Sequence, residues 1–87
     1  MKALERSIQF DEEFADWLKI NPKIADKIAK IVRSILKDTF LNFHKGEKLK
    51  YFPNRYACRI DKKNRLIYEK SGELIKLLSC RGHYEDK

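Results

Sequence analysis

The stretch RYACRIDKKNRLIYEKSGELIKLLSCRGHY, residues 55–84, decides the fold. It divides into three runs carrying β-branched or aromatic residues: Arg55 to Ile60, Arg65 to Glu69 and Glu73 to His83. Between them lie Asp61-Lys62-Lys63-Asn64 and Lys70-Ser71-Gly72. These are turn compositions, because Asp, Asn and Ser bond nearby backbone and Gly accepts left-handed conformations. Short turns between successive strands give an antiparallel meander. In the third run Leu74, Ile75, Leu77 and Leu78 are apolar together, which predicts a strand covered on both faces and central in the sheet.

Upstream of this stretch the apolar period becomes helical. A first strand is expected within Ala3 to Phe10, although its alternation is poor. Asp11 is then expected to cap a helix, with Glu12 and Glu13 in the first turn, where the helix dipole favours acids. Phe14, Trp17 and Leu18 recur at i, i+3 and i+4 and mark its apolar stripe. Asn21-Pro22 starts a second helix, since Asn caps and Pro suits the first helical position. Ile24, Ile28, Ile31, Val32, Ile35 and Leu36 form its core stripe, with Lys23, Lys27, Lys30 and Arg33 largely on the other face. From Asp38 to Lys50 the periodicity weakens, which reads as a loop ending in a short extended segment. The order is strand, helix, helix, meander. It predicts an α+β fold: an N-terminal strand and a helical hairpin packed on an antiparallel β-sheet. A chain of 87 residues is expected to form one domain, spanning 1–87.

Charge narrows the function. The net charge is +7, and an excess of that size in so small a chain points to an anionic partner, nucleic acid first. The excess is uneven. From His44 to Lys70 nine basic residues (Lys45, Lys48, Lys50, Arg55, Arg59, Lys62, Lys63, Arg65, Lys70) stand against three acids (Glu47, Asp61, Glu69). From Met1 to Asn21 acids outnumber bases. A solvated lysine-rich surface is the plain alternative, but concentration in one half favours a binding face. The N-terminus does not read as a signal peptide, because Glu5 and Arg6 interrupt any apolar run, and no segment has the length of a membrane span. A cytoplasmic, bacterial location is expected, with no membrane partner. Cys58 and Cys80 read as buried, reduced thiols, and their spacing supplies no metal-ligand set. No cofactor motif is present: the chain has no Gly-rich phosphate loop and no His-Glu-x-x-His.

A metal-free ribonuclease needs few groups. A base takes the ribose 2′-hydroxyl proton, the oxygen attacks phosphorus, an acid protonates the departing 5′-oxygen, and a cation stabilises the equatorial oxygens. Imidazole, carboxylate and guanidinium suit these tasks. His83 lies in Cys80-Arg81-Gly82-His83-Tyr84, and strand alternation would put Arg81 and His83 on one face. Arg59 and Arg65 flank the first hairpin turn and are placed to project toward the same groove. Glu47 is an acid amid bases, for which local charge balance is the plain explanation. His44 reads as a surface residue. Tyr51, Phe52, Tyr56 and Tyr84 are aromatic neighbours of the bases. Stacking on RNA is one use for them, but Phe52 and Tyr56 read as core.

Asn64-Arg65-Leu66-Ile67-Tyr68, followed by a strand ending Cys80-Arg81-Gly82-His83-Tyr84, resembles the YoeB/Txe branch of the RelE-type toxins. Gly46-Glu47-Lys48-Leu49-Lys50 resembles that branch's Glu-Pro-Leu-Lys element, and the helical hairpin matches too. The sequence departs from the pattern at Lys48, at Gly82 and in the extension Glu85 to Lys87. The resemblance implies a RelE-like microbial RNase architecture and a ribosome-dependent mRNA endonuclease of a type II toxin–antitoxin system. It also implies roles: Glu47 the general base, His83 the general acid, Arg65 the stabiliser of the pentavalent phosphate and Tyr84 an orienting group. Lys50, Arg59 and Arg81 would bind phosphate. The implied partners are a cognate antitoxin and the ribosome with mRNA in its A site. Operator DNA would be bound only by the toxin–antitoxin complex, and a homodimer stays open.

Two other functions fit the residues: a non-catalytic basic module binding RNA, the ribosome or DNA with a partner, and a structural subunit docking an acidic protein. The joint presence of Glu47, Arg65, His83 and Tyr84 separates the nuclease from both, since a binder needs only the bases.

Overall fold

The computed structural model describes residues 3–37, the backbone of residues 47–48, and residues 54–82. Its elements in chain order are β1 (Ala3–Arg6), α1 (Ile8–Ile20), α2 (Pro22–Leu36), β2 (Glu47–Lys48), β3 (Arg55–Arg59), β4 (Arg65–Ser71) and β5 (Leu74–Ser79). The α+β order expected from the sequence is the observed one. The strands form one sheet in the order β1-β5-β4-β3-β2.

The meander β3-β4-β5 is antiparallel, as its short turns require. At the β4–β5 turn Gly72 adopts φ +59°, a conformation glycine takes without Cβ strain. The sheet as a whole is mixed rather than antiparallel, because β1 joins the edge beside β5 in parallel, pairing Ala3 with Leu74 and Arg6 with Leu77. No turn ties β1 to β5. The helical hairpin that follows β1 carries the chain across one face of the sheet, so strand direction at that edge is set by the crossing. All four residues of β1 are exposed, which accounts for their poor alternation.

Ser7, not Asp11, caps α1. Its hydroxyl accepts from the Phe10 N–H at 3.0 Å and donates to the Leu78 carbonyl at 2.8 Å. The helix starts earlier than expected because Phe10 belongs to its buried stripe, stacked on Phe14 at 5.9 Å. Asp11 instead pairs with Arg6 at 3.0 Å. Phe14 and Trp17 pack on the core as expected, whereas Leu18 is exposed. The α2 start is where Asn21-Pro22 put it, with Pro in the first turn, although the Asn21 side chain makes no capping bond. Ile28, Ile31 and Ile35 are buried, with Ile24, Val32 and Leu36 packed around them.

The helices cover one face of the sheet. There they meet Cys58, Ile60, Leu66, Tyr68, Ile75, Leu77 and Cys80. Tyr56 packs against this core and stacks on Tyr68 at 5.3 Å, while Phe52 and His44 lie outside the described residues. β5 is interior, flanked by β1 and β4, and its apolar run contains an irregularity of register. Ile75 and Leu77 are buried, Leu74 and Leu78 only partly. A register shift pairs Ile67 with Ser79 and Tyr68 with Leu77, leaving Leu78 as the extra residue of a bulge. The strand ends at Ser79, short of the expected His83.

Candidate active site

Alternation along β3 and β4 sends Arg55, Ala57, Arg59, Arg65, Ile67 and Glu69 to the face away from the helices, since Cys58, Leu66 and Tyr68 point into the core. Arg59 and Arg65 are direct cross-strand partners, as are Arg55 and Glu69, which form an ion pair at 3.4 Å. Like charges at directly opposed ladder positions are unfavourable for a sheet, and Arg59 and Arg65 occupy such positions. An anion between them would relieve that repulsion. β2 adds a row beside β3 at this edge, with Glu47 at the register position opposite Ala57, two residues along β3 from Arg59. The expected extended segment at the end of the 38–50 loop is therefore present.

Arg65 is held by the hairpin turn that precedes it. Its Nη1 donates to the Asp61 carbonyl at 2.7 Å and the Asn64 carbonyl at 3.1 Å. The turn is closed by the Asp61 carboxylate, whose Oδ1 accepts from the N–H groups of Lys63 (2.8 Å) and Asn64 (2.7 Å). Desolvation alone would raise the Asp61 pKa, but these hydrogen bonds, with help from Lys27, hold it below the usual carboxylate value.

The chain end after β5 is fixed from two sides. From β4, the Arg65 N–H donates to the Gly82 carbonyl at 3.0 Å, and the Gly82 N–H donates to Asn64 Oδ1 at 2.9 Å. From α1, Glu13 Oε1 accepts the Cys80 N–H at 2.8 Å and the Trp17 indole donates to the Cys80 carbonyl at 3.0 Å. Gly82 turns the chain with φ +89°. This geometry ties Arg65 to the residue immediately before His83. His83, Tyr84 and Lys50 themselves lie outside the described residues, as does the side chain of Glu47. Arg81 is not in a strand, so alternation does not pair it with His83. Its Nη1 sits 3.3 Å from Asp16, and its guanidinium lies 5.9 Å from the centre of the Trp17 ring. Glu13, Trp17 and Asn64 had no functional signal in the sequence: the first two read as helix dipole and core stripe, the third as a turn residue.

Cys58 and Cys80 are both buried, reduced thiols, as expected. Burial pushes each thiol up to about 12, Cys58 against a smaller opposing hydrogen bond from Tyr68 and Cys80 with added repulsion from Glu13. Neither is a nucleophile at neutral pH. Among the described residues no three His, Cys, Asp or Glu side chains gather as a metal site. No helix among them is long and apolar enough to cross a membrane.

A helical hairpin thus covers one face of a small mixed sheet, and the cross-strand pair Arg59–Arg65 lies on the other. The structure superposes on the YoeB dimer from Staphylococcus aureus with a TM-score of 0.84 at 29% identity, covering 95% of this chain and 98% of that one. It superposes on the YoeB–YefM complex of the same organism with a TM-score of 0.81 at 31% identity, covering 97% and 99%. In sequence it is 33% identical over 84 residues to a Mycobacterium bovis protein named Toxin YoeB, covering 91% of this chain and 99% of the relative. Residues 7–84 match the model of the YoeB-like toxin of bacterial type II toxin–antitoxin systems, and the chain belongs to that family.

Proposed function

We propose that this toxin is an mRNA endonuclease acting on the ribosome, and that it inhibits translation by cutting the strand through attack of a ribose 2′-hydroxyl. Glu47 takes the proton from that hydroxyl. The 2′-oxygen attacks the adjacent phosphorus, the bond from phosphorus to the 5′-oxygen breaks, and His83 protonates the departing oxygen. Arg65 stabilises the charge on the pentavalent phosphate and Tyr84 orients the strand. Lys50 and Arg59 hold neighbouring phosphates. Arg81 joins them, because its exposed ion pair with Asp16 is weak enough to yield to a phosphate. The observation that supports this reading is the hydrogen bond from the Arg65 N–H to the Gly82 carbonyl, since Gly82 directly precedes His83 in the sequence.

A cognate antitoxin holds the toxin inactive, as the YoeB–YefM complex of the S. aureus relative suggests by analogy. Operator DNA is bound by this toxin only together with its antitoxin. The S. aureus dimer raises self-association as a property to measure here. The reaction runs in the bacterial cytoplasm, where translating ribosomes are.

Primer extension on an mRNA translated in a cell-free bacterial system tests the reading. The wild type should leave codon-phased ends, and Arg65→Ala should reduce them by about a hundredfold, the scale of one removed transition-state donor. Folded wild type that binds ribosomes without cutting would establish the non-catalytic binding module instead.

A further inference from the structure

We infer that Asn64 is a positioning residue, whose side-chain oxygen holds the Gly82 N–H and thereby fixes the backbone that leads into His83, the acid of the cleavage proposed above. This rests on the nuclease reading above and adds a residue to it.

The first ground is that the hairpin turn does not need the Asn64 amide. Asp61 Oδ1 already closes the turn by accepting the N–H groups of Lys63 and Asn64. The Asn64 carbonyl, which accepts from the Ile60 N–H at 3.0 Å, completes the ladder. The second is that the amide is oriented. Its Nδ2 donates to both Asp61 oxygens at 3.1 Å each, so Oδ1 must face the other way, toward Gly82. The third is that β5 has ended at Ser79, and the ladder no longer fixes the backbone beyond it. At Gly82 two bonds take over from the ladder. One is the Arg65 N–H to the Gly82 carbonyl, and the other is the Gly82 N–H to Asn64. The consecutive residues Asn64 and Arg65 thus grip both backbone polar groups of Gly82, the residue before His83. The Asn64–Gly82 bond is solvent-exposed. An exposed bond contributes little to stability, whereas a small misplacement of a reacting group costs much in rate. Loss of the bond should therefore appear in turnover and not in folding.

The test compares wild type, His83→Gln, Asn64→Ala, Asn64→Asp and the swap Asp61→Asn with Asn64→Asp, using cleavage kinetics on programmed ribosomes beside thermal melts. Asn64→Ala should lower kcat by about tenfold to a hundredfold with KM and the melting temperature nearly unchanged. Asn64→Asp keeps the shape but sets a second carboxylate against Asp61, so it should lower kcat as well. The swap restores an amide facing a carboxylate and should recover most of the lost turnover. Should Asn64→Ala fail to fold, the isosteric Asn64→Asp and the swap carry the same test. The inference alone is overturned if the wild type cuts, His83→Gln does not, and the Asn64 variants keep wild-type kcat, lose only KM or gain nothing from the swap. An inactive wild type, or a fully active His83→Gln, overturns the nuclease reading and the inference with it.

Discussion

Replacing Trp17 with Phe removes one donor and leaves most of the ring, so it measures how firmly α1 holds the chain end leading to the candidate site. The indole N–H reaches the carbonyl of Cys80, a residue with no exposed surface. Phe fills most of the same volume, so the transfer and cavity costs are small. What is lost is the partner of a buried carbonyl, which costs about 1–3 kcal/mol. The Arg81 guanidinium near the ring adds a few tenths, because Phe is the poorer cation–π partner and the site is half exposed. The sum is about 2 kcal/mol. In a domain of this size that lowers Tm by roughly 8–16 °C. Trp17 is the only tryptophan, so unfolding has to be followed by circular dichroism and not by indole fluorescence. A loss below about 0.5 kcal/mol with an unchanged denaturant slope would refute the reasoning, because it would mean that the Cys80 carbonyl finds water or another donor at no cost.

Ile31→Asp should leave the protein unfolded, since a carboxylate would be buried without a partner among Ile28, Ile35 and Leu66; a cooperative melt within a few degrees of wild type would contradict this. Gly82→Ala should cost about 1–2 kcal/mol through its φ of +89° alone, since no atom lies within 4 Å of the added Cβ; a denaturant melt measures it, and a neutral result would deny the left-handed turn. Cys58 and Cys80 should resist a thiol reagent at pH 8 in the folded protein and react fully in urea. Burial raises their folded pKa above that of the unfolded thiols, so the unfolded state releases protons first. Stability should accordingly be complete below about pH 8.5 and fall as pH rises from there toward 12. A double Cys58→Ala, Cys80→Ala variant with an equally steep alkaline loss would contradict that cause.

The meander was legible in the sequence because its turns are chemically marked: the Asp61 carboxylate accepts from the N–H groups of the first turn, and Gly72 takes a left-handed conformation in the second. The α2 stripe was legible because Ile28, Ile31 and Ile35 repeat at helical spacing. The start of α1 was not, since Asp11 and Ser7 are both good caps and only the burial of Phe10 decides between them. The parallel pairing of β1 was hidden for a similar reason: pairing between the first and last elements leaves no local mark. The doubled leucine at 77–78 holds a bulge, a feature of register that composition does not carry. At the candidate site, residue types pointed to Arg59 and Arg65, and the ladder makes them partners. The contacts that fix the chain before His83 come from Glu13, Trp17 and Asn64, which join segments up to 67 residues apart. Their side chains have ordinary helix and turn roles, so nothing in the linear order distinguishes them.

An mRNA with a single 2′-deoxynucleotide at the position the wild type cuts, presented in the ribosomal A site beside the all-ribose strand, separates attack by the 2′-hydroxyl from any other route of cleavage. Attack by the 2′-hydroxyl predicts that the ribose strand is cut to a 5′-hydroxyl end while the deoxy strand stays intact. Equal cutting of both strands, or products with a 5′-phosphate, would contradict it.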